Sequence, residues 1–181
     1  GYYYGGHLCT KLIKKEKLLD FKLDEKIAIY EDILFLSNVF TKCDKIVYKN
    51  VHKYYYRFNE VSALNNTFKK SYLSGRLACK KMLEDIHKIY PEIISYPQKT
   101  LLEGDILIVI KILQSGKEKE YAEYFKEIKK EIKKNLNSNS FKLVSSTTMK
   151  IYIISFVVGR SVLKMIRGVN SGIKKFYYDK G

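Results

Sequence analysis

Apolar residues recur every three or four positions through most of the chain after residue 63, and that spacing predicts helices. Leu64, Phe68, Tyr72, Gly75, Cys79, Met82, Ile86 and Ile89 make one face of a long helix. Asn65 or Asn66 stands where a cap belongs. Tyr90-Pro91 ends it, because the residue before a proline is driven out of the helical region. Thr100 to Gln114 is almost continuously apolar. Its centre, Asp105 to Ile110, has the composition of a buried strand, but its helical neighbours and Gly116 as a stop favour a buried helix. Glu118 to Leu136 is amphipathic, with Tyr121, Phe125, Ile128 and Ile132 on one face. A polar loop over Asn135 to Ser140 follows. Thr148 opens a last helix with Ile151, Ser155, Val158, Val162, Met165 and Val169 in register, bordered by Arg160, Lys164 and Arg167. Lys174 to Tyr178 reads as a loose tail.

The first third has a different pattern. Leu8 and Leu12 fit a short helix with Lys11, Lys14, Lys15 and Lys17 on its other side. Phe21 to Ile29 is a loop. Glu31 and Asp32 then stand directly before Ile33, Leu34, Leu36 and Phe40, as two acids in the first turn of a helix. Lys45 to Tyr48 and Val51 to Phe58 are rich in β-branched and aromatic residues, with Lys49-Asn50 as a turn between them, and predict two short strands. The expected fold is mostly α, in the α+β sense. A mixed piece over 1–62 precedes a helical bundle over 63–181.

With 181 residues the chain can bury one substantial core, or one core and an appendage. The formal net charge of +15 points to an anionic partner, whether nucleic acid, acidic lipid or a phosphorylated substrate; the plainer alternative is a solvated lysine-rich surface. Nucleic acid is disfavoured, because Lys117 to Lys134 is interleaved with Glu118, Glu120, Glu123, Glu127 and Glu131 in a salt-bridged face. Cys9, Cys43 and Cys79 are odd in number and far apart, so neither a zinc site nor a disulfide framework is expected. No apolar run reaches the roughly 18 residues of a transmembrane helix. A start at Gly1-Tyr2-Tyr3-Tyr4 without Met reads as a piece of a longer protein.

Chemistry concentrates at Glu31-Asp32. A helix N-terminus carries partial positive charge and unpaired N–H groups, so it keeps carboxylates ionised. That is ordinary helix-start chemistry. It also makes a general base, if a hydroxyl is placed beside it.

The flanking residues sharpen this. Lys11-Leu12 lies in Gly6-His7-Leu8-Cys9-Thr10-Lys11-Leu12, Phe21 precedes Tyr30-Glu31-Asp32-Ile33, and Tyr54-Tyr55-Tyr56-Arg57 is followed by Ser62. In order and spacing these motifs resemble the C-terminal part of bacterial family-2 glycosyltransferases of the GT-A type, enzymes of cell-surface polysaccharide synthesis. The resemblance covers residues 5 to 62. It implies a metal-dependent, inverting transfer of a sugar from a nucleotide-sugar donor to a hydroxyl of a glycan or lipid-linked acceptor. It implies Asp32 as the base that takes the acceptor proton. Glu31 would orient the acceptor or the loop, or serve only as a first-turn acid. Lys11 would lie near the donor phosphates or the acceptor, with a solvated lysine as the alternative. Arg57 has a planar fork for phosphate or carboxylate, or would pair with Asp32 or Glu31. His7 is a candidate acceptor contact or metal ligand. Tyr54 and Tyr56 share a strand face and read as packing residues rather than a sugar platform.

The chain departs from the family in one respect. It has no Asp-x-Asp and no glycine-rich phosphate loop. The divalent metal (Mg or Mn) of the intact enzyme would therefore be held mostly by residues outside this sequence, and this piece by itself is expected to be inactive. The implied setting is cytoplasmic, with peripheral contact at the inner face of the cell membrane through 148–169. The competing reading is a basic helical module that binds an acidic membrane or nucleic acid.

Overall fold

A computed structural model describes residues 6–49, 51, 54–55, 68–144 and 146–159. The chain divides into two compact units, residues 1–98 and 99–181. The division expected near Ser62 falls outside the described residues.

In the first unit, single 3-10 turns at Leu8–Thr10 and Lys15–Lys17 replace the expected short helix. Lys11 is the reason: its backbone is extended, at φ −124° and ψ 139°, so the helical repeat from Leu8 to Leu12 is broken and Leu12 is fully exposed. Helix α1 runs Glu31–Phe40 and buries Leu34, Leu36 and Val39. The acids stand in its first turn, as the sequence predicts. A 3-10 turn over Lys70–Leu73 leads into α2, Ser74–Ile89. Tyr72, Gly75, Cys79, Met82 and Ile86 are buried at the expected spacing. The expected helix from Leu64 is not continuous: Lys69 is extended, at φ −119° and ψ 144°, and the N-cap of α2 is Leu73 rather than Asn65 or Asn66, which lie outside the described residues. α2 stops at Tyr90, at φ −137° and ψ 64°, just before Pro91. Ile27, Leu34, Ala78, Met82 and Ile86 form the core here, with Tyr30, Ile33 and Ile94 against it.

The fold is mostly helical, and no strand occurs among the described residues. Lys45 to Tyr48 has no regular structure, with Ile46, Val47 and Tyr48 exposed. Val51, Tyr54 and Tyr55 are also exposed and without regular structure, and the rest of the second expected strand lies outside the described residues. β-branched composition marks a segment that fits a pleated surface; without a neighbouring strand it makes no ladder.

Helix α3, Ser95–Gln114, crosses the division. The Thr100 to Gln114 run is helical, and Gly116 at φ 73° follows it in the left-handed conformation open to glycine. Helix α4 spans Ala122–Asn135, α5 spans Asn139–Leu143 and α6 spans Thr147–Val158. Helix α5 begins inside the expected polar loop, where the Ser138 hydroxyl accepts from the Phe141 N–H at 3.3 Å. Ser146 caps α6 likewise, accepting from Met149 N–H at 3.2 Å. Leu102, Ile106, Val109, Ile110 and Leu113 of α3 join Ile128 and Ile132 of α4, Val144, and Met149, Ile153 and Phe156 of α6 in one core.

The buried face of α6 differs from the expected one. Met149, Ile153 and Phe156 turn inward, whereas Ile151 and Val158 are exposed. Every side of this helix carries apolar residues, so its periodicity does not select a face. Among the described residues, no helix is long and apolar enough to cross a membrane.

Candidate functional site

The start of α1 gathers three of the residues singled out from the sequence. Asp32 is about three-quarters buried, and its Oδ1 accepts the Ile33 N–H at 2.8 Å. Its other oxygen, Oδ2, stands 3.6 Å from Nδ1 of His7. That is close enough for an ion pair when the imidazole is protonated. Lys11 folds back beside them. Its Nζ donates to the His7 carbonyl and to the Thr10 hydroxyl, each at 2.8 Å. Burial pushes the Lys11 ammonium below the usual lysine range, opposed by the Cys9 thiol and the Asp32 carboxylate, which both favour its charged form.

Gly6 permits this approach. A Cβ built there would lie inside the van der Waals radius of Ile33 Cγ1 and 2.9 Å from Ile33 Cδ1. Only a residue without a side chain lets position 6 lie this close to Ile33 in the first turn of α1.

Glu31 projects to another side of the same turn, since successive helical residues point in different directions. It lines a groove of about 310 Å³ with Phe21, Asp24, Asn38, Lys81 and Asp85, among others. Phe21 meets Phe35 edge-on, with centroids 6.3 Å apart, and forms part of the groove wall. Asp24 Oδ2 accepts from Lys81 Nζ at 2.7 Å, and its Oδ1 accepts the Lys26 N–H at 3.0 Å. The Lys81 hydrogen bond, with help from the Lys26 N–H, holds the Asp24 carboxyl below the usual aspartate range. The groove thus offers carboxylates, one amide, the ammonium groups of Lys22 and Lys81, and an aromatic wall.

Arg57 and Tyr56 lie outside the described residues. Sequence reasoning missed Gly6, Thr10 and the Asp24–Lys81 pair. Gly6 and Thr10 lie within the motif around Lys11, but nothing local marks Lys81 as the partner of Asp24. Among the described residues no group of three or more His, Cys, Asp or Glu is placed to hold a metal ion.

In comparisons with known proteins, no family model, no curated sequence and no solved structure matches the chain.

Proposed function

We propose that the chain is the acceptor-side, C-terminal part of a glycosyltransferase that moves a sugar from a nucleotide-sugar donor to a hydroxyl of a glycan or lipid-linked acceptor. The observation that carries the reading is the meeting of His7 and Asp32, with Lys11 beside them, at one helix start. Two of the family-like motifs, separated in sequence, thus supply one site. In this reading the Asp32 carboxylate removes the acceptor hydroxyl proton as its oxygen forms the new bond to the anomeric carbon. The bond from that carbon to the nucleotide breaks, and the nucleotide leaves with the electron pair. Attack and departure on opposite faces invert the anomeric centre. The role calls for a carboxylate, and a helix N-terminus is a place that favours negative charge. His7 donates to the acceptor or to Asp32, and Lys11 balances negative charge beside the base. Glu31 faces the groove on another side of the turn from Asp32, so in this reading it orients the loop or serves as a first-turn acid rather than touching an acceptor held at Asp32. Arg57 would bind donor phosphate through its fork. The divalent metal of the intact enzyme, if it follows the family, is held elsewhere.

The test is sugar-nucleotide turnover by the full-length gene product, wild type against Asp32→Asn, with and without Mg or Mn. Loss of about 100- to 10,000-fold in kcat with donor binding retained supports the base assignment. Near-normal turnover by the variant reduces the acidic pair to a helix start.

A second reading concerns partners. Contact of 148–169 with an anionic membrane surface is supported by Ile151, Ile154 and Val158, exposed on α6. Arg160, Lys164 and Arg167, in the expected basic border, lie outside the described residues. Co-sedimentation with phosphatidylserine vesicles, lost on Ile151→Asp/Ile154→Asp, is the expected result. Equal binding by wild type and variant would remove this reading.

A further inference from the structure

We propose that Ser74 and Gly75, at the start of α2, are positioning residues that hold the turn Ala28–Tyr30 in the conformation that aims Asp32 at His7. The functional consequence rests on the glycosyl-transfer reading. The geometry does not.

Tyr30 is the residue before α1, and its backbone sits at φ 65° and ψ 19°. It is the one non-glycine residue with positive φ among those described. The left-handed region is disfavoured for a bulky aromatic residue and persists only where the surroundings enforce it. Such enforcement sits directly before the two candidate acids. The Tyr30 carbonyl accepts the Leu34 N–H at 3.0 Å, so its peptide begins the helical hydrogen-bond ladder. The direction of that carbonyl therefore sets the direction of the first turn, and with it the side chain of Asp32.

Two residues of α2 fix the turn. The Ala28 N–H donates to Ser74 Oγ at 2.8 Å, and the same hydroxyl donates to the Ser71 carbonyl at 2.6 Å. Ser74 thereby ties the turn to the 3-10 segment that opens α2. Gly75, buried, forms the floor. A Cβ there would stand 3.2 Å from Ile29 Cγ2, 3.3 Å from Ile29 Cβ and 3.4 Å from Tyr30 Cδ2. Ile29 and Tyr30 thus rest on a bare backbone surface. A Cβ at 75 would press on Ile29 and only reach ordinary contact with the Tyr30 ring, and a larger side chain there would crowd the turn further. Gly75 is an ordinary member of the apolar face in the sequence, and its lack of a side chain matters only because the strained turn lies on it.

The experiment uses the full-length gene product with Ser74→Ala, Ser74→Thr and Gly75→Val. Two quantities are measured: kcat and KM for sugar-nucleotide turnover, and the NMR titration of the Lys11 ammonium, which the Asp32 carboxylate favours in its charged form. Ser74→Ala and Gly75→Val are expected to lower kcat about tenfold to a hundredfold, as a displacement near 1 Å of a reacting group does, with donor KM little changed. Both should move the Lys11 titration downward, the direction Asp32→Asn moves it. Ser74→Thr keeps the hydroxyl and should restore both quantities. Unchanged kcat and unchanged Lys11 titration in a folded Gly75→Val protein would overturn the proposal. If Gly75→Val does not fold, the Ser74→Ala and Ser74→Thr pair decides: equal behaviour of the two counts against it. If the wild type turns over no donor, the glycosyl-transfer reading fails alone, and the Lys11 titration still decides whether Ser74 and Gly75 place Asp32.

Discussion

His7 Nδ1 lies 3.6 Å from Asp32 Oδ2, and the same His7 offers its carbonyl to Lys11 Nζ at 2.8 Å. One histidine therefore touches the candidate base through its ring and the neighbouring ammonium through its backbone. Replacing the ring leaves the second contact in place. In His7→Ala, Lys11 should keep its position while Asp32 loses its neighbour. The expected outcome is a loss of about tenfold to a hundredfold in transfer rate with the donor KM retained, measured by steady-state kinetics. An equal loss in His7→Ala and Lys11→Ala, with KM rising in both, would show that the segment acts only as a structural strap.

The charge of Asp32 acts on Lys11. Burial lowers the Lys11 pKa, and the carboxylate works against that lowering. Asp32→Asn should therefore move the Lys11 pKa further down. Lysine-selective NMR titration of the full-length product reads this without any activity. A Lys11 titration unchanged in Asp32→Asn would separate the two residues.

Gly6 is expected to tolerate no side chain. Gly6→Ala places a methyl group against Ile33, and residue 6 or the Ile33 side chain must give way. Overpacking of this kind costs about 1–3 kcal/mol where it cannot relax. Here the segment can move, so part of that cost appears as separation of His7 from Asp32. Urea unfolding and transfer rate together measure the division. No change in either would mean that the segment leaves Ile33 at no cost.

The two faces of α6 give a test of the second unit. Ile153 is fully buried and Ile151 is half exposed. Ile153→Ala should destabilise by about 2–4 kcal/mol, as removal of buried methyl groups does. Ile151→Ala should stay within about 0.5 kcal/mol, as substitutions away from packed sites do. Urea midpoints at constant m-value decide between them, and the reverse order would invert the assigned face.

Asp24 supplies a pH dependence of known sign. Lys81 holds its carboxyl below the ordinary aspartate pKa of about 3.9, so the native state favours ionised Asp24. The stabilisation is present above that ordinary value and fades as pH falls through the lower native one. Lys81→Met keeps the aliphatic stem and removes the ammonium. Its stability should match the wild type more closely at acid pH than at neutral pH. A constant gap between the two proteins from neutral pH down past the aspartate range would assign the effect to packing alone.

Some local features of this fold are readable from the chain, though the short helix expected over Leu8 to Leu12 is not formed. Glu31 and Asp32 begin α1 because charge at a helix start is a local matter. Tyr90 ends α2 because proline acts on the residue beside it. The helix from Thr100 follows, against its strand-like composition, from its helical neighbours and from Gly116. The non-local features were not readable. Lys45 to Tyr48 has the composition of a strand, but a strand is defined by its partner. The spacing in α6 named Ile151 and Val158, because a helix apolar on every side has no inward face until others pack on it. Nothing near His7 announces that it meets Asp32. That meeting depends on Gly6 against Ile33, and a contact between distant residues leaves no periodic trace.

The contact of Gly6 with Ile33 couples the two positions sterically. Alanine is the smallest possible step away from glycine, and it already overlaps Ile33. A side chain at position 6 therefore either widens the gap between histidine and carboxylate or displaces Ile33. Any drift there has to follow, or be followed by, a smaller residue at 33. Gly6→Ala should be damaging in isolation and mild beside Ile33→Ala, so homologues of this chain should change the two positions jointly or leave both alone.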